Sequence, residues 1–271
     1  MRSSLLCLAI FSLLVASAGM ASGATLCSSI ATLQDWSTAG SAGCTITAPD
    51  GATWTFVFGG ANETPAGNGF TPALSNISTT FGTVAPGEVG FSFAFGANAN
   101  CTSPAGSNFC APSTGKADIE LSYYVSSSST DIIDLFQSIT GTAVGTNTSN
   151  TGVDSLTDQY SLGCAKTPIT SCAGSVSAPI VSITEANSGT TQTQTNTFSA
   201  TNAVSVTKDM QACSASSCGA PGLAGATDIT NVKNAFSTSS VPEPKQVGFL
   251  GTALLGLIAI TLRRRKQEQP Q

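Results

Sequence analysis

The chain has 271 residues, a formal net charge of −5 and no histidine. Without histidine it has no Ser-His-Asp or Cys-His catalysis and lacks the commonest zinc and copper ligand. An enzyme would be left with carboxylate pairs, Ser/Lys dyads or oxygen-built calcium sites, so the absence counts against catalysis.

At the N-terminus, Arg2 precedes an apolar stretch from Leu5 to Val15 and small residues from Ala16 to Ala24. This order predicts an export signal over 1–24. Cleavage is expected after Ser22-Gly23-Ala24, before Thr25, with Ala16-Ser17-Ala18 as the alternative. Cys7 sits inside the apolar core, too early for a lipobox cysteine. Between Thr25 and Ser240, thirteen carboxylates stand against four lysines (Lys116, Lys166, Lys208, Lys233) and no arginine, a balance of −9. Such a domain has no electrostatic route to nucleic acid, and anionic lipid repels it.

Residues 25–236 read as one exported β-rich domain. Ser28–Trp36, with Ile30, Leu33 and Gln34 at helical spacing, predicts a short helical turn. Apolar alternation with a period of two then predicts strands. Trp54, Phe56 and Phe58 share one face of Thr53–Phe58. Val89, Phe91, Phe93 and Phe95 do the same in Glu88–Phe95, as do Ile119, Leu121, Tyr123 and Val125 in Ala117–Val125. Val176–Ile183, Thr191–Phe198 and Ala203–Thr207 are weaker strands. Gly59-Gly60, Pro65-Ala66-Gly67, Pro86-Gly87 and Ser188-Gly189 are expected turns. Thr190–Thr197, alternating threonine with glutamine and asparagine, reads as an exposed edge strand or, alternatively, a glycan-facing one. Asp228–Phe236 carries Ile229, Val232 and Phe236 at i, i+3 and i+7, which predicts a short helix. No repeat of 20–50 residues appears. The expected fold is an all-β, antiparallel sandwich or jelly-roll-like ectodomain with disulfide-pinned loops.

Apart from Cys7, eight cysteines remain, an even number suited to an oxidising compartment. Their spacing pairs them in sequence: Cys27 with Cys44, Cys101 with Cys110, Cys164 with Cys172, and Cys213 with Cys218. No Cys-x-x-Cys redox motif occurs.

Three constellations bear on chemistry. Asp118 and Glu120 share one strand face, with Asp131 and Asp134 nearby, and two carboxylates are the equipment of a glycoside hydrolase. Alternation puts the first pair on the polar face, where nothing raises a carboxyl pKa. Asp154 and Asp158, with Asn147 and Asn150, supply hard oxygens to a polar loop and form a weak calcium candidate. Solvated carboxylates are the plainer reading. No Ser-x-x-Lys lies in the exported part and no Gly-x-Ser-x-Gly occurs, so no catalytic residue, metal or cofactor is assigned.

The C-terminal segment runs from a linker, 237–245, through an apolar stretch, 246–262, to a basic tail, 263–271. Val241-Pro242-Glu243-Pro244 opens it, Val247–Leu262 carries no formal charge, and Arg263, Arg264, Arg265 and Lys266 follow at once. Prolines flanking a glutamate stiffen an extended segment. Sixteen apolar residues span ~24 Å as a helix, short of the ~30 Å hydrocarbon core, and the cations hold the end on the cytoplasmic side. This order resembles the PEP-CTERM sorting domain of Gram-negative bacteria. The resemblance implies that exosortase, a membrane-embedded transpeptidase-like enzyme, reads Pro242, Glu243 and Pro244. It also implies transient anchoring in the inner membrane, then a cell-surface or extracellular product associated with exopolysaccharide and biofilm. The sequence reading is therefore a non-catalytic surface or matrix protein. A carbohydrate-binding module is the alternative, and a carboxylate-dependent hydrolase stands behind that.

Overall fold

The computed structural model describes residues 25–49, 51–85, 88–97, 107–112, 115–128, 131–144, 153–163, 173–214 and 226–238. Strand β1 (Thr25–Leu26) leads through a 3-10 turn to helix α1 (Leu33–Thr38). There follow β2 (Cys44–Thr47), β3 (Thr53–Glu63), β4 (Ile77–Ala85), β5 (Glu88–Phe95) and β6 (Cys110–Ala111). Next come β7 (Lys116–Ser127), β8 (Ile132–Val144), β9 (Val153–Leu162), β10 (Ala173–Ser177) and β11 (Val181–Ile183). The series ends with β12 (Thr191–Thr201), β13 (Ala203–Cys213) and β14 (Ala226–Phe236).

The strands form two sheets of a sandwich. An eight-stranded sheet runs β1-β2-β3-β7-β13-β9-β10, with β11 also on β9, and a six-stranded sheet runs β12-β8-β14-β5-β4, with β6 on β14. Pairing is antiparallel except between β1 and β2. The all-β sandwich is the fold expected from alternation, and β12 is an edge strand.

Three local expectations are corrected. Asp228–Phe236 is strand β14 and not a helix. A bulge between Ile229 and Asn231 sets two residues of β14 against one of β8. The bulge turns Ile229 and Val232 to the same core face, so strand residues acquire helical spacing. Gly59-Gly60 is likewise no turn but a bulge inside β3, seated against Ser122. Val176–Ile183 divides into β10 and β11 around Ala178-Pro179-Ile180. Pro179 has no amide hydrogen to continue a ladder. The first helical turn is present but shifted. Thr32 accepts from Asp35 N at 3.1 Å, and Asp35 Oδ2 accepts from Thr32 N at 2.9 Å, a reciprocal cap that starts α1.

Helix α1 delivers Trp36 between the sheets. Its ring meets Phe58 and Tyr123 of one sheet, and Phe81, Phe91 and Phe93 of the other, at centroid separations of 5.1–6.4 Å. Its Nε1 donates to the Phe56 carbonyl at 3.3 Å. The Cys27–Cys44 disulfide ties the segment carrying α1 to β2, as the spacing predicted. Gly43, at φ +63°, permits the approach, since a Cβ there would strike the Phe56 carbonyl. Cys110 and Cys213 are also disulfide-bonded. The expected partners Cys101 and Cys218, and the pair Cys164–Cys172, lie outside the described residues. So do the expected export signal, the Pro-Glu-Pro motif and the 246–262 span. Among the described residues, no helix is long and apolar enough to cross a membrane.

Because Trp36 is fully buried against five rings, Trp36→Ala should cost about 3–5 kcal/mol in denaturant unfolding with disulfides intact. Trp36→Phe should cost clearly less. Equal loss in both would mean that the cluster does not depend on indole size.

Candidate functional site

A cleft of about 180 Å³ opens between the sheets, lined by Ala48, Pro49, Trp54, Thr83, Glu88, Val89 and Thr238. Alternation in β3 sends Trp54 to the interior with Phe56, on which it stacks at 6.5 Å. Glu88 begins β5, where the strand meets the cleft. Trp54 Nε1 and Glu88 Oε2 are both buried without a hydrogen-bond partner. Burial, and then the neighbouring Asp134 carboxylate, raise the Glu88 carboxyl above its usual range. Two residues of the cleft lining thus carry an unsatisfied polar atom, beside the apolar walls of Ala48, Pro49 and Val89.

A second polar group lies on the outer face of the eight-stranded sheet. Asp118 and Glu120 stand on β7 as expected, yet Asp118 is buried and only Glu120 is exposed. Asp118 forms an ion pair with Lys116. The β7/β13 register sets Gln211 opposite Asp118, and Asp209 opposite Glu120. Gln211 Nε2 donates to Asp209 Oδ2 at 2.7 Å. Burial, then the adjacent Asp118 carboxylate, push the Asp209 carboxyl up to about 6. Asp209 Oδ1 has no donor around it, so it bonds to Asp118 only when one of the two holds a proton. Sequence reasoning missed Asp209 because the strand register that brings it to Asp118 cannot be read along the chain. The other expected carboxylate, Asp134, accepts from the backbone N of Ser237 at 2.9 Å and from its hydroxyl, and Asp131 is exposed.

The calcium candidates do not sit in a loop. Asp154 and Asp158 both lie on β9, fully buried and facing the core. Asp158 is the opposite number of Lys208 on β13. It accepts from Lys208 Nζ at 2.7 Å through Oδ1 and from Asn234 Nδ2 at 2.8 Å through Oδ2. Asp154 accepts no hydrogen bond, and the Thr227 hydroxyl lies beside it outside bonding geometry. Burial above all, with the Asp228 carboxylate adding and Thr227 opposing, pushes Asp154 well above the carboxylate range. Among the described residues, no group of three or more acidic or cysteine side chains is placed to hold a metal ion.

No protein-family model matches the chain, and no curated protein matches it. Among solved structures, it is similar to the module TmCBM61 in complex with β-1,4-galactotriose, at 9% identity and a TM-score of 0.28 over 65% of this chain and 88% of that one. It is also similar to a family 11 carbohydrate-binding module from Clostridium thermocellum in complex with a mixed-linked tetrasaccharide. There the identity is 10% and the TM-score 0.23, over 69% and 89% of the two chains. The lectin UEA-II complexed with galactose gives 10% and 0.24, over 65% and 98%. At such values these likenesses carry no argument about what this chain binds.

Asp209 is raised from 3.8 to about 6 in the folded chain. The unfolded chain therefore releases this proton first as pH rises, and the contribution to stability falls between about pH 4 and 6. Asp209→Asn should remove that loss, so the melting temperature of the variant minus that of wild type should grow across this window. A difference flat from pH 4 to 7 would show that Asp209 titrates normally.

Proposed function

We propose that this chain is an exported, non-catalytic surface protein whose β-sandwich binds neutral polysaccharide at the Trp54/Glu88 cleft. One observation carries this reading: Trp54 and Glu88, whose buried indole N–H and carboxyl oxygen are both unpartnered, line one small cleft with apolar walls. A buried polar group without a partner costs about 1–3 kcal/mol, which a ligand supplying that partner recovers. An anion would satisfy the indole but meets the carboxyl and an acidic domain. A cation would satisfy the carboxyl but not the indole. A sugar hydroxyl both donates and accepts, and so suits the two together. The volume is below the ~300–1,000 Å³ of drug-sized pockets, which fits one sugar ring or a chain end.

The tail supplies the address in this proposal. The fixed order of Pro242-Glu243-Pro244, an apolar 246–262 and the cations Arg263, Arg264, Arg265 and Lys266 supports recognition by exosortase. The chain is held briefly in the inner membrane, and the domain then goes to the cell surface or the exopolysaccharide matrix of a biofilm.

Titration calorimetry of the exported domain against a panel of neutral polysaccharides should find a binder. Glu88→Gln should weaken that binder about tenfold or more, the size of one hydrogen bond to a carboxylate. No heat with any neutral glycan, or binding indifferent to Glu88→Gln, would sink the cleft as the site. For the address, the chain is produced in a host with exosortase and its mature C-terminus read by peptide mapping. Wild type should lose the residues beyond the Pro-Glu-Pro region, and a Pro242→Ala/Glu243→Ala/Pro244→Ala variant should keep them. An intact tail in both, in the membrane fraction, would make it a plain single-pass anchor.

A further inference from the structure

The core of the sandwich holds an amine and a primary amide on one carboxylate. Lys208 comes from the eight-stranded sheet, Asn234 from the six-stranded sheet, and Asp158 bridges them at 2.7 and 2.8 Å. All three are fully buried. We propose that Lys208 and Asn234 are the partners of an intramolecular isopeptide bond that covalently joins the two sheets, with Asp158 as the catalytic residue.

The chemistry needs no cofactor or oxidant. Nζ of Lys208, as the neutral amine, attacks Cγ of Asn234, and an Nζ–Cγ bond forms. Asp158 takes a proton from Nζ and passes it to Nδ2, the Cγ–Nδ2 bond breaks, and ammonia leaves. An amine and a primary amide become a secondary amide, with no change of oxidation state. Three features of the site favour this course. Burial draws the Lys208 pKa below its ordinary value, although the pairing with Asp158 opposes it, so the nucleophilic form is accessible. The amide carbonyl Oδ1 of Asn234 has no partner, and a protonated Asp158 donates to it once the amide turns over. Water, the competing nucleophile, is excluded by the rings around the site. Tyr123, packed on Trp36 and Phe91, sends a buried, unpartnered hydroxyl towards Asp158, whose charge adds to burial in raising the phenol. Asn234 is also held tightly. Gly90 on β5 leaves room for its backbone, and a Cβ there would strike the Asn234 carbonyl.

The test is a tryptic map of the exported full chain after reduction and alkylation. A bonded Lys208 resists trypsin, so the expected product is the peptide 167–233 joined to the one beginning at Asn234. Its mass is lower by one ammonia than the two peptides together, and fragment ions containing both chains locate the bond. Fragmentation separates this product from a cyclised asparagine, which also loses ammonia but joins nothing. Separate peptides 167–208, 209–233 and one beginning at Asn234 with its amide intact, all from wild type, would overturn the proposal whatever the variants do. Lys208→Ala, Asn234→Ala and Asp158→Asn should each abolish the joined product. Asp158→Asn protein that still joins as wild type does would overturn the role given to Asp158.

Discussion

The two sheets meet through an aromatic cluster centred on one indole. Trp36 touches Phe58 and Tyr123 of one sheet and Phe81, Phe91 and Phe93 of the other through edge-on and tilted contacts. Around it Phe56 meets Phe81, Phe91 and Phe236 directly, while Phe91 meets Tyr123. Aromatic side chains bury 150–250 Å² each and dominate core energetics. The helix that carries Trp36 has six residues, too few to be stable in water alone. Its position is imposed from outside: the Thr32–Asp35 cap begins it, the Cys27–Cys44 disulfide ties the preceding segment to β2, and the indole N–H fastens it to the Phe56 carbonyl. Removing the ring therefore takes away a wedge as well as area.

Tyr123 joins this cluster to the polar group beside it. Its ring belongs to the aromatic stack while its hydroxyl lies towards Asp158. A buried ion pair repays its desolvation only when the remaining polar atoms find partners. Here the pair Lys208–Asp158 gains one from Asn234, across the interface, but Asn234 Oδ1 and the Tyr123 hydroxyl stay unsatisfied. An apolar trio of the same volume would serve stability better. That imbalance is what a reactive arrangement looks like: burial that makes the ion pair costly also favours the neutral amine that attacks an amide.

The sequence was legible where alternation was clean. Glu88–Phe95 has the bounds of β5, and Thr53–Phe58 and Ala117–Val125 fall inside longer strands. It misled where the ladder is irregular, since the β14 bulge gave a strand the spacing of a helix. It was silent on β9 for another reason. The inward face of that strand reads Asp154, Leu156, Asp158, Tyr160, so two acids occupy core positions and the apolar pattern disappears. The residues that hide the strand are those that make the interior chemically unusual. The Trp54/Glu88 cleft and the Asp118–Asp209 contact depend on register and sheet packing, which no spacing along the chain encodes.

Of the thirteen carboxylates between Thr25 and Ser240, five among the described residues are turned inward. Asp118, Asp134, Asp154, Asp158 and Asp228 are all buried. Each is met in its own way: Lys116 for Asp118, Lys208 for Asp158, the Ser237 N–H and hydroxyl for Asp134, and Thr142 for Asp228. Asp154 accepts no hydrogen bond, and burial raises its carboxyl well above the ordinary carboxylate value. Two of the four lysines are spent on these internal pairs, so the pairs cancel without contributing to the external field. The pairs are neutral, so the formal −9 of the segment rests on the groups outside them. A negative field disfavours anionic polymers, and hydroxyl and amide side chains offer hydrogen bonds in place of charge, which suits the neutral polysaccharide of the proposed function.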